Sequence, residues 1–236
     1  VHINSGVAGL VAAYMLGKRM GLGRESMAPH NMTLTVIGAS LLWVGWFGFN
    51  GGSALGANGS AAYALMVTQI AAASAAIAWL ITERIVRGKA SVLGGVSGAV
   101  AGLVVITPAA GFVTVSAALV MGIIGAVVCF WAITVLKNRL KVDDSLDAFG
   151  LHGVGGIVGA ILTAFFASDF IMGDKAPVNM LHQLWVQIEG VLATVAYSAV
   201  MTFIILKVID LVMGIRVVAD DERMGLDLSQ HGERIE

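Results

Sequence analysis

Two long stretches without any charged residue constrain the fold of this chain more than any other feature of its sequence. Asp, Glu, Lys and Arg are absent between Glu25 and Glu83 and again between Lys89 and Lys137. Each stretch far exceeds the ~20 residues with which a helix crosses the hydrocarbon core of a bilayer. Each must therefore contain two membrane spans joined by a turn.

The composition of the whole chain agrees with a membrane protein and excludes several soluble classes. Apolar residues make up 58 % of the 236 residues and charged residues 12 %, about half of the ~25 % that is usual in soluble domains. A net charge of −1 provides no long-range field for nucleic acid. The single cysteine excludes an intrachain disulfide framework and a thiolate metal cluster.

Turn-forming residues divide the charge-free stretches into helices. Segments 50–53 and 58–60 break the first stretch, and segment 107–111 breaks the second. A fifth span is predicted from about Ala148 to Ser168, and a sixth from after Pro177 to about Leu211. Together with the apolar residues 1–16, the pattern predicts an all-α integral membrane protein with one partial and six complete transmembrane helices.

The basic residues predict the orientation, because thirteen of the fourteen fall on alternate connections and on the C-terminal segment. The positive-inside rule assigns these segments to the cytoplasm, and the exception is Lys175. The thirteen are Lys18, Arg19, Arg24, Arg84, Arg87, Lys89, Lys137, Arg139, Lys141, Lys207, Arg216, Arg223 and Arg234.

The beginning of the chain is unusual for a complete membrane protein. It has no initiator Met, and sixteen helical residues span only ~24 Å of a ~30 Å core. We expect the chain to be the C-terminal part of a longer protein. Residues 1–213 are then a partial transmembrane bundle that lacks its N-terminal half, and residues 214–236 a cytoplasmic tail.

A short motif recurs 150 residues apart. His2-(x3)-Gly6 is repeated as His152-(x3)-Gly156, on helices predicted to run in opposite directions, which indicates an inverted repeat with a site near the midplane. Counted along ideal helices, His152 lies ~12 Å from Asp144 and His2 lies ~24 Å from Lys18. We expect the two rings to meet inside the membrane, but these depths differ by about two helical turns, a difference that tilt or a water-filled vestibule would have to absorb.

His2 and His152 are the leading functional candidates, because ionisable residues inside a membrane are costly. Three interpretations remain open: structural hydrogen bonding, bis-histidine haem ligation, and a pore lined by neutral imidazoles for a small polar permeant. Trp46 and Phe49, one helical turn apart, pack in the core or attract a small cation. Asp144 lies at a helix N-terminus, where capping is the simplest role.

Three segments resemble the ammonium transporter family (Amt/Mep/Rh), and its bacterial Amt branch in particular. They are Val1-His2-Ile3-Asn4, Gly45-Trp46-Phe47-Gly48-Phe49-Asn50-Gly51-Gly52-Ser53 and Phe149-Gly150-Leu151-His152-Gly153-Val154. The resemblance implies an eleven-helix inverted-repeat fold, a homotrimer with one pore per subunit, and a start within helix five.

The resemblance also implies site residues. His2 and His152 are the pore histidines, Phe49 belongs to the gate, and Ser53 with Trp46 forms the outer ammonium site. Asp144 is the cytoplasmic-side acid. Gly225, Asp227 and His231 belong to a tail that binds a PII-type signalling protein.

The function that follows is transport rather than catalysis. Ammonium is recruited outside and deprotonated, and ammonia passes along a hydrophobic pore in the bacterial inner membrane, with methylammonium as an analogue and without cofactor or metal. An ammonium sensor, an Rh-type gas channel and a bis-histidine haem protein remain alternatives. With half of the repeat absent, we expect the isolated chain not to transport.

Overall fold

The computed structural model describes residues 1–173 and 179–234, and every structural statement below refers to them. The described part of the chain is helical apart from its connections and one isolated antiparallel bridge between Val113 and Ala167. Its helices are α1 (His2–Leu16), α2 (Met32–Gly52), α3 (Gly59–Arg87), α4 (Val92–Ile106), α5 (Val115–Trp131), α6 (Lys137–Leu140), α7 (Val154–Phe166), α8 (Asp169–Met172), α9 (Met180–Met213), α10 (Ala219–Met224) and α11 (Leu226–His231). One π-helical turn, Ala132–Leu136, joins α5 to α6, and a second, Phe149–Gly153, leads into α7.

Polar side chains begin the long helices at the predicted turns. In each case an oxygen of the residue before the helix accepts a hydrogen bond from a backbone N–H of the first turn, which would otherwise lack a partner. These capping residues are Asn31, Asn58, Ser91, Thr114 and Asn179. All five capping side chains are uncharged. Helices can therefore begin, and the chain can reverse direction, within the stretches that contain no charged residue.

Five helical segments of the described chain are long and apolar enough to cross a membrane, and α1 and α4 are shorter apolar helices. Five of the six complete spans predicted correspond to these segments, and the sixth, α4, is not the full-length span that was expected. It has 15 residues, about 22 Å of helix, because Thr107 and Pro108 end it inside the bundle. Residues 109 and 110 beyond it are still buried.

The core lies between α3, α4 and α5, and small residues allow these helices to approach closely. A β-carbon on Gly98 would come within 2.5 Å of the Trp79 β-carbon, and one on Gly102 within 2.7 Å of the Ala75 β-carbon. The glycines spaced by four on α4 therefore form a packing ridge against α3, as is common in membrane bundles.

The connections that carry the basic residues meet at one end of the bundle, which we call the basic end. Asp143 after α6 accepts three hydrogen bonds of 2.8 Å from Arg19 after α1, from its backbone N, Nε and Nη2. Arg216 of the C-terminal segment donates to the carbonyl oxygens of Leu16 and Lys18.

The other connections, which carry no basic residue except Lys175, meet at the opposite end. The backbone N of Ser168 donates to the carbonyl of Phe112 at 3.0 Å, and the Tyr63 hydroxyl donates to the carbonyl of Val113 at 3.0 Å. The alternation seen in the sequence thus corresponds to two ends of one bundle. Lys175, the exception, and Pro177 lie outside the described residues.

Candidate functional site

The two histidines meet inside the bundle, so the predicted mismatch in their depth was wrong. The estimate counted eight helical residues between Asp144 and His152, but residues 141–147 are not helical. Asp144 to Asp147 form a turn, in which the Asp147 N–H donates to the Asp144 carbonyl and Asp147 has a φ of +55°, so the 1.5 Å rise of a helix does not apply to these residues. Asp144 is itself buried, with 6 % of its surface exposed, so it does not mark the edge of the bundle.

A glycine one turn after each histidine lets the two helices cross. A β-carbon on Gly6 would overlap the backbone of Gly153 and come within 3.0 Å of the His152 carbonyl carbon. A β-carbon on Gly156 would come within 2.9 Å of the Ile3 nitrogen and 3.2 Å of the His2 β-carbon. Each glycine of the repeated motif therefore makes room for the backbone next to the other histidine.

The imidazole rings are in direct contact. Nδ1 of His2 lies 3.4 Å from Nδ1 of His152, and the ring centroids are 5.5 Å apart with an interplanar angle of 32°. His2 is buried and His152 is partly buried. Two nitrogens that bind one iron from opposite sides lie about 4 Å apart, given metal–nitrogen bonds of 2.0–2.1 Å. At 3.4 Å the two Nδ1 atoms are closer together than this, which is a contact between the rings themselves.

Aromatic residues of α2 cover the His2 ring. The Trp46 ring stacks on it at 4.9 Å with an interplanar angle of 20°, and the Phe49 ring lies 5.8 Å from it. Trp46 is buried, whereas Phe49 is 44 % exposed. Phe49 therefore stands at the boundary between the buried histidine pair and open space.

Thr107 is a member of this cluster that the sequence reasoning placed only in a turn. Its hydroxyl accepts a hydrogen bond of 2.8 Å from Nε1 of Trp46 and lies 3.3 Å from Nε2 of His2. It also donates to the carbonyl of Leu103 at 2.7 Å. A threonine directly before the only proline of an apolar stretch was the available signal.

The end of α2 is held by a second buried polar contact that was also not predicted. Nδ2 of Asn50 donates to the Thr68 hydroxyl at 2.9 Å, and that hydroxyl donates to the carbonyl of Ala64. Both side chains are buried. Ser53, one turn later, is exposed and donates to the carbonyl of Phe49. Ser53 thus lies beyond Phe49 along α2, away from the histidine pair.

Asp144 acts as a helix cap. Its two carboxylate oxygens accept hydrogen bonds of 2.9 and 2.8 Å from the backbone N–H groups of Ala148 and Phe149. These groups begin the π-turn that carries His152. A carboxylate at a helix N-terminus is stabilised by the helix dipole, so Asp144 fixes the start of the helix rather than contacting the imidazoles.

The residues predicted to form the tail site lie between α10 and α11 and on α11, far along the chain from the histidines. Gly225 separates the two helices with a φ of +100°, Asp227 is in the first turn of α11 and His231 ends it. Glu222 of α10 accepts hydrogen bonds from the backbone of Met20 and from Arg216. The tail is therefore docked on the first connection of the bundle.

Open space reaches the histidine pair from two sides. A cleft of about 900 Å³ is lined by His152 and by Arg19, Lys137 and Asp147 of the basic end. A cavity of about 340 Å³ is lined by His2, Thr107 and residues of α7 and α9. Among the described residues, no group of three His, Cys, Asp or Glu side chains could hold a metal ion.

Comparison with known proteins gives consistent matches over nearly the whole chain. The model of the Ammonium Transporter Family matches residues 1–235. The chain is 48 % identical over 237 residues to an ammonium transporter of Bacillus subtilis, covering 99 % of this chain and 58 % of that protein. It is also 48 % identical over 235 residues to an ammonium transporter of Aquifex aeolicus, covering 99 % of this chain and 55 % of that protein.

Solved structures give the same result. The crystal structure of Saccharomyces cerevisiae Mep2 superposes with a TM-score of 0.85 at 37 % identity, over 93 % of this chain and 52 % of that chain. A structure described as a sensor Amt protein superposes with a TM-score of 0.87 at 30 % identity, over 98 % and 58 % of the two chains. The chain thus spans between half and three-fifths of the length of these four proteins.

Proposed function

Because this chain belongs to the ammonium transporter family, we propose that it forms part of a pathway that moves ammonium, as ammonia, across a membrane. The observation that carries the proposal is the buried contact between His2 and His152, 3.4 Å apart and bounded by Phe49 on one side and by an open cleft on the other.

The energetics favour passage of the neutral molecule. Transfer of an intact ammonium ion into an apolar environment costs tens of kcal/mol by Born solvation. Ammonium titrates about two pK units above neutrality, so the loss of its proton costs about 3 kcal/mol at 1.36 kcal/mol per unit. Neutral imidazoles can donate and accept hydrogen bonds without a permanent charge. A histidine pair therefore suits ammonia better than the ion.

We propose the following roles for the residues around the pair. The exposed hydroxyl of Ser53 and the faces of Trp46 and Phe49 attract the cation, through hydrogen bonding and cation–π attraction. Phe49, partly exposed above the His2 ring, acts as the gate where the proton is lost. Asp144 supports the site indirectly, through the helix that carries His152.

Uptake of radiolabelled methylammonium tests the function. Since the chain spans 58 % of the Bacillus subtilis relative, we propose that transport also requires the part of that protein which this chain does not match. A fusion of the two parts is expected to take up methylammonium, and the chain alone is not. In the fusion, His2→Ala should reduce uptake at least about tenfold, or 1.4 kcal/mol.

His182→Ala is the matched control, because His182 is exposed at the start of α9. It should leave uptake within about twofold, or 0.4 kcal/mol. A folded fusion without uptake would contradict the transport function. Unchanged uptake in His2→Ala would contradict the role of the histidine pair.

The membrane location and orientation proposed for the chain follow from the charges at the two ends of the bundle and from its exposed apolar helices. We propose a multi-pass protein of the bacterial inner membrane, with the basic end and the C-terminus in the cytoplasm. The apolar helices α2 and α9 are largely exposed: in the most apolar 18-residue segment of each helix, only 6 % is buried. Lipid, or the neighbouring subunits of a homotrimer, would cover them.

A sensor of ammonium is the second candidate, and the docked tail favours it. Arg216 and Glu222 connect the C-terminal segment to the first connection, and residues 225–231 would bind a PII-type protein. A sensor would bind such a partner through Gly225, Asp227 and His231 without substantial methylammonium uptake by the fusion. Uptake that does not depend on the partner would favour the transporter.

A further inference from the structure

The hydroxyl of Thr107 has three polar neighbours and a single proton, and this count determines how the hydrogen bonds are arranged. A threonine hydroxyl donates one hydrogen bond and accepts two. The carbonyl of Leu103 can only accept, and it lies 2.7 Å away, a normal distance for an O–H···O bond. The Thr107 hydroxyl therefore donates its proton to the carbonyl of Leu103.

The two lone pairs of the hydroxyl then serve the other two neighbours. The indole N–H of Trp46 can only donate, and it occupies the first lone pair at 2.8 Å. Nε2 of His2, at 3.3 Å, faces the second lone pair and must therefore be protonated and donate the hydrogen bond. His2 is therefore the tautomer with hydrogen on Nε2, and its Nδ1 is bare.

The tautomer of His2 determines that of His152. The bare Nδ1 of His2 lies 3.4 Å from Nδ1 of His152, and two bare nitrogens would repel each other. Nδ1 of His152 therefore carries the proton and donates it. Nε2 of His152 is then the bare acceptor, it has no hydrogen-bond partner among the described residues, and His152 lines the cleft of the basic end.

We propose that Thr107 is a positioning residue that fixes the tautomers of both histidines, so that the pair offers its free acceptor nitrogen only towards the basic end. Both ring nitrogens of His2 already take part in hydrogen bonds. A proton that arrives from the Phe49 side therefore finds no free acceptor nitrogen on His2. Ammonia that reaches the pair meets an acceptor only at Nε2 of His152.

This inference rests on the proposed function for its biological meaning, but its test does not. Nitrogen NMR of ¹⁵N-histidine-labelled protein in detergent distinguishes protonated from bare ring nitrogens. Substitution of His30, His182 and His231 by Gln leaves His2 and His152 as the only histidines. In this background we expect one tautomer per ring, with the proton on Nε2 of His2 and on Nδ1 of His152.

Variants of Thr107 test the cause. Thr107→Val keeps the shape and removes the hydroxyl, and it should give mixed tautomers at both rings. Thr107→Ser should restore the wild-type pattern. The control is Thr163→Val, because the buried Thr163 hydroxyl donates only to the Gly159 carbonyl in its own helix; it should leave both rings unchanged.

Two results would overturn the proposal. The first is the opposite assignment in the parent protein, which needs no Thr107 variant and is therefore decisive even if Thr107→Val does not fold. The second is an unchanged pattern in a folded Thr107→Val protein. Neither result depends on methylammonium uptake, so failure of the transport function and failure of this inference are separate outcomes.

Discussion

At the residue scale, the sequence identified the side chains that stand out against an apolar background and missed those that look like ordinary turn formers. His2, His152, Trp46 and Phe49 form one contact cluster in the structure. Thr107, which is partly buried, and Asn50, which is buried, also make polar contacts inside the bundle, but a Thr before Pro and an Asn before two glycines predict a turn. Only the packing of α2 against α3 and α4 reveals their partners.

The Asn50–Thr68 contact leads to a prediction about stability at this scale. Asn50→Leu removes the donor and leaves the buried Thr68 hydroxyl with an unfilled lone pair. An unsatisfied buried polar group costs about 1–3 kcal/mol, so the free energy of unfolding should fall by that amount. Chemical denaturation in detergent, followed by tryptophan fluorescence, measures it.

Ser40→Ala is the matched control for Asn50→Leu, because the exposed Ser40 hydroxyl only donates to the Val36 carbonyl of its own helix. It should change the free energy by less than about 0.5 kcal/mol. Equal losses in the two variants would show that the contact between Asn50 and Thr68 contributes nothing specific.

At the element scale, the predicted helices were largely right, and the errors came from segments that are not ideal α-helix. Glycine- and asparagine-rich turns are local signals, and they located the break between α2 and α3 well. The non-helical residues 141–147 and the π-turn Phe149–Gly153 have no comparable signal. The depth of His152 therefore could not be computed from residue counting, whereas the structure shows it beside His2.

The crossing of α1 with the segment around His152 gives a prediction for this scale. Gly6→Ala places a methyl group against the Gly153 backbone, which cannot move as a side-chain end can. Overpacking of this kind costs about 1–3 kcal/mol. We expect a corresponding loss in the free energy of unfolding and a wider separation of the two imidazoles, measured by loss of their ¹⁵N coupling.

Gly38→Ala serves as the comparison, since a β-carbon at Gly38 of α2 meets no atom within 4 Å. Alanine is favoured over glycine in helices by about 1 kcal/mol, so this variant should be neutral or slightly stabilised. A Gly6→Ala protein as stable as Gly38→Ala would refute the close crossing.

At the scale of the whole molecule, two connections far apart in sequence are joined by one ion pair. Arg19 follows α1 and Asp143 follows α6, and the Asp143 side chain is 1 % exposed while that of Arg19 is 40 % exposed. Hydrogen bonding by the Arg19 guanidinium lowers the pKa of the Asp143 carboxyl below its ordinary value. The contact closes the basic end across the first and fifth connections.

This lowered pKa predicts how stability depends on pH. The charged form is favoured by folding, so its contribution is complete above the unfolded pKa of about 3.9 and is lost as the pH falls through the lower, folded pKa. Asp143→Asn should be less stable at pH 7 by roughly 1–2 kcal/mol, given the exposure of Arg19. It should also lose less further stability between about pH 5 and pH 3.

Thermal unfolding across this pH range checks the prediction. Asp210→Asn is the control, because its partner Lys207 forms an exposed pair with it three residues apart. It should follow the parent protein within about 0.5 kcal/mol. Parallel pH curves for the parent protein and Asp143→Asn would contradict the assignment.

The distance along the chain between the paired imidazoles has a consequence for biosynthesis. The two residues are separated by 150 positions, and translation at about 5–20 residues per second needs roughly 8–30 s to make the intervening chain. During that time the helix that carries His2 is in the membrane without the segment that carries His152, because the later helices are still being synthesised. Any factor that shelters newly inserted helices would act during this interval.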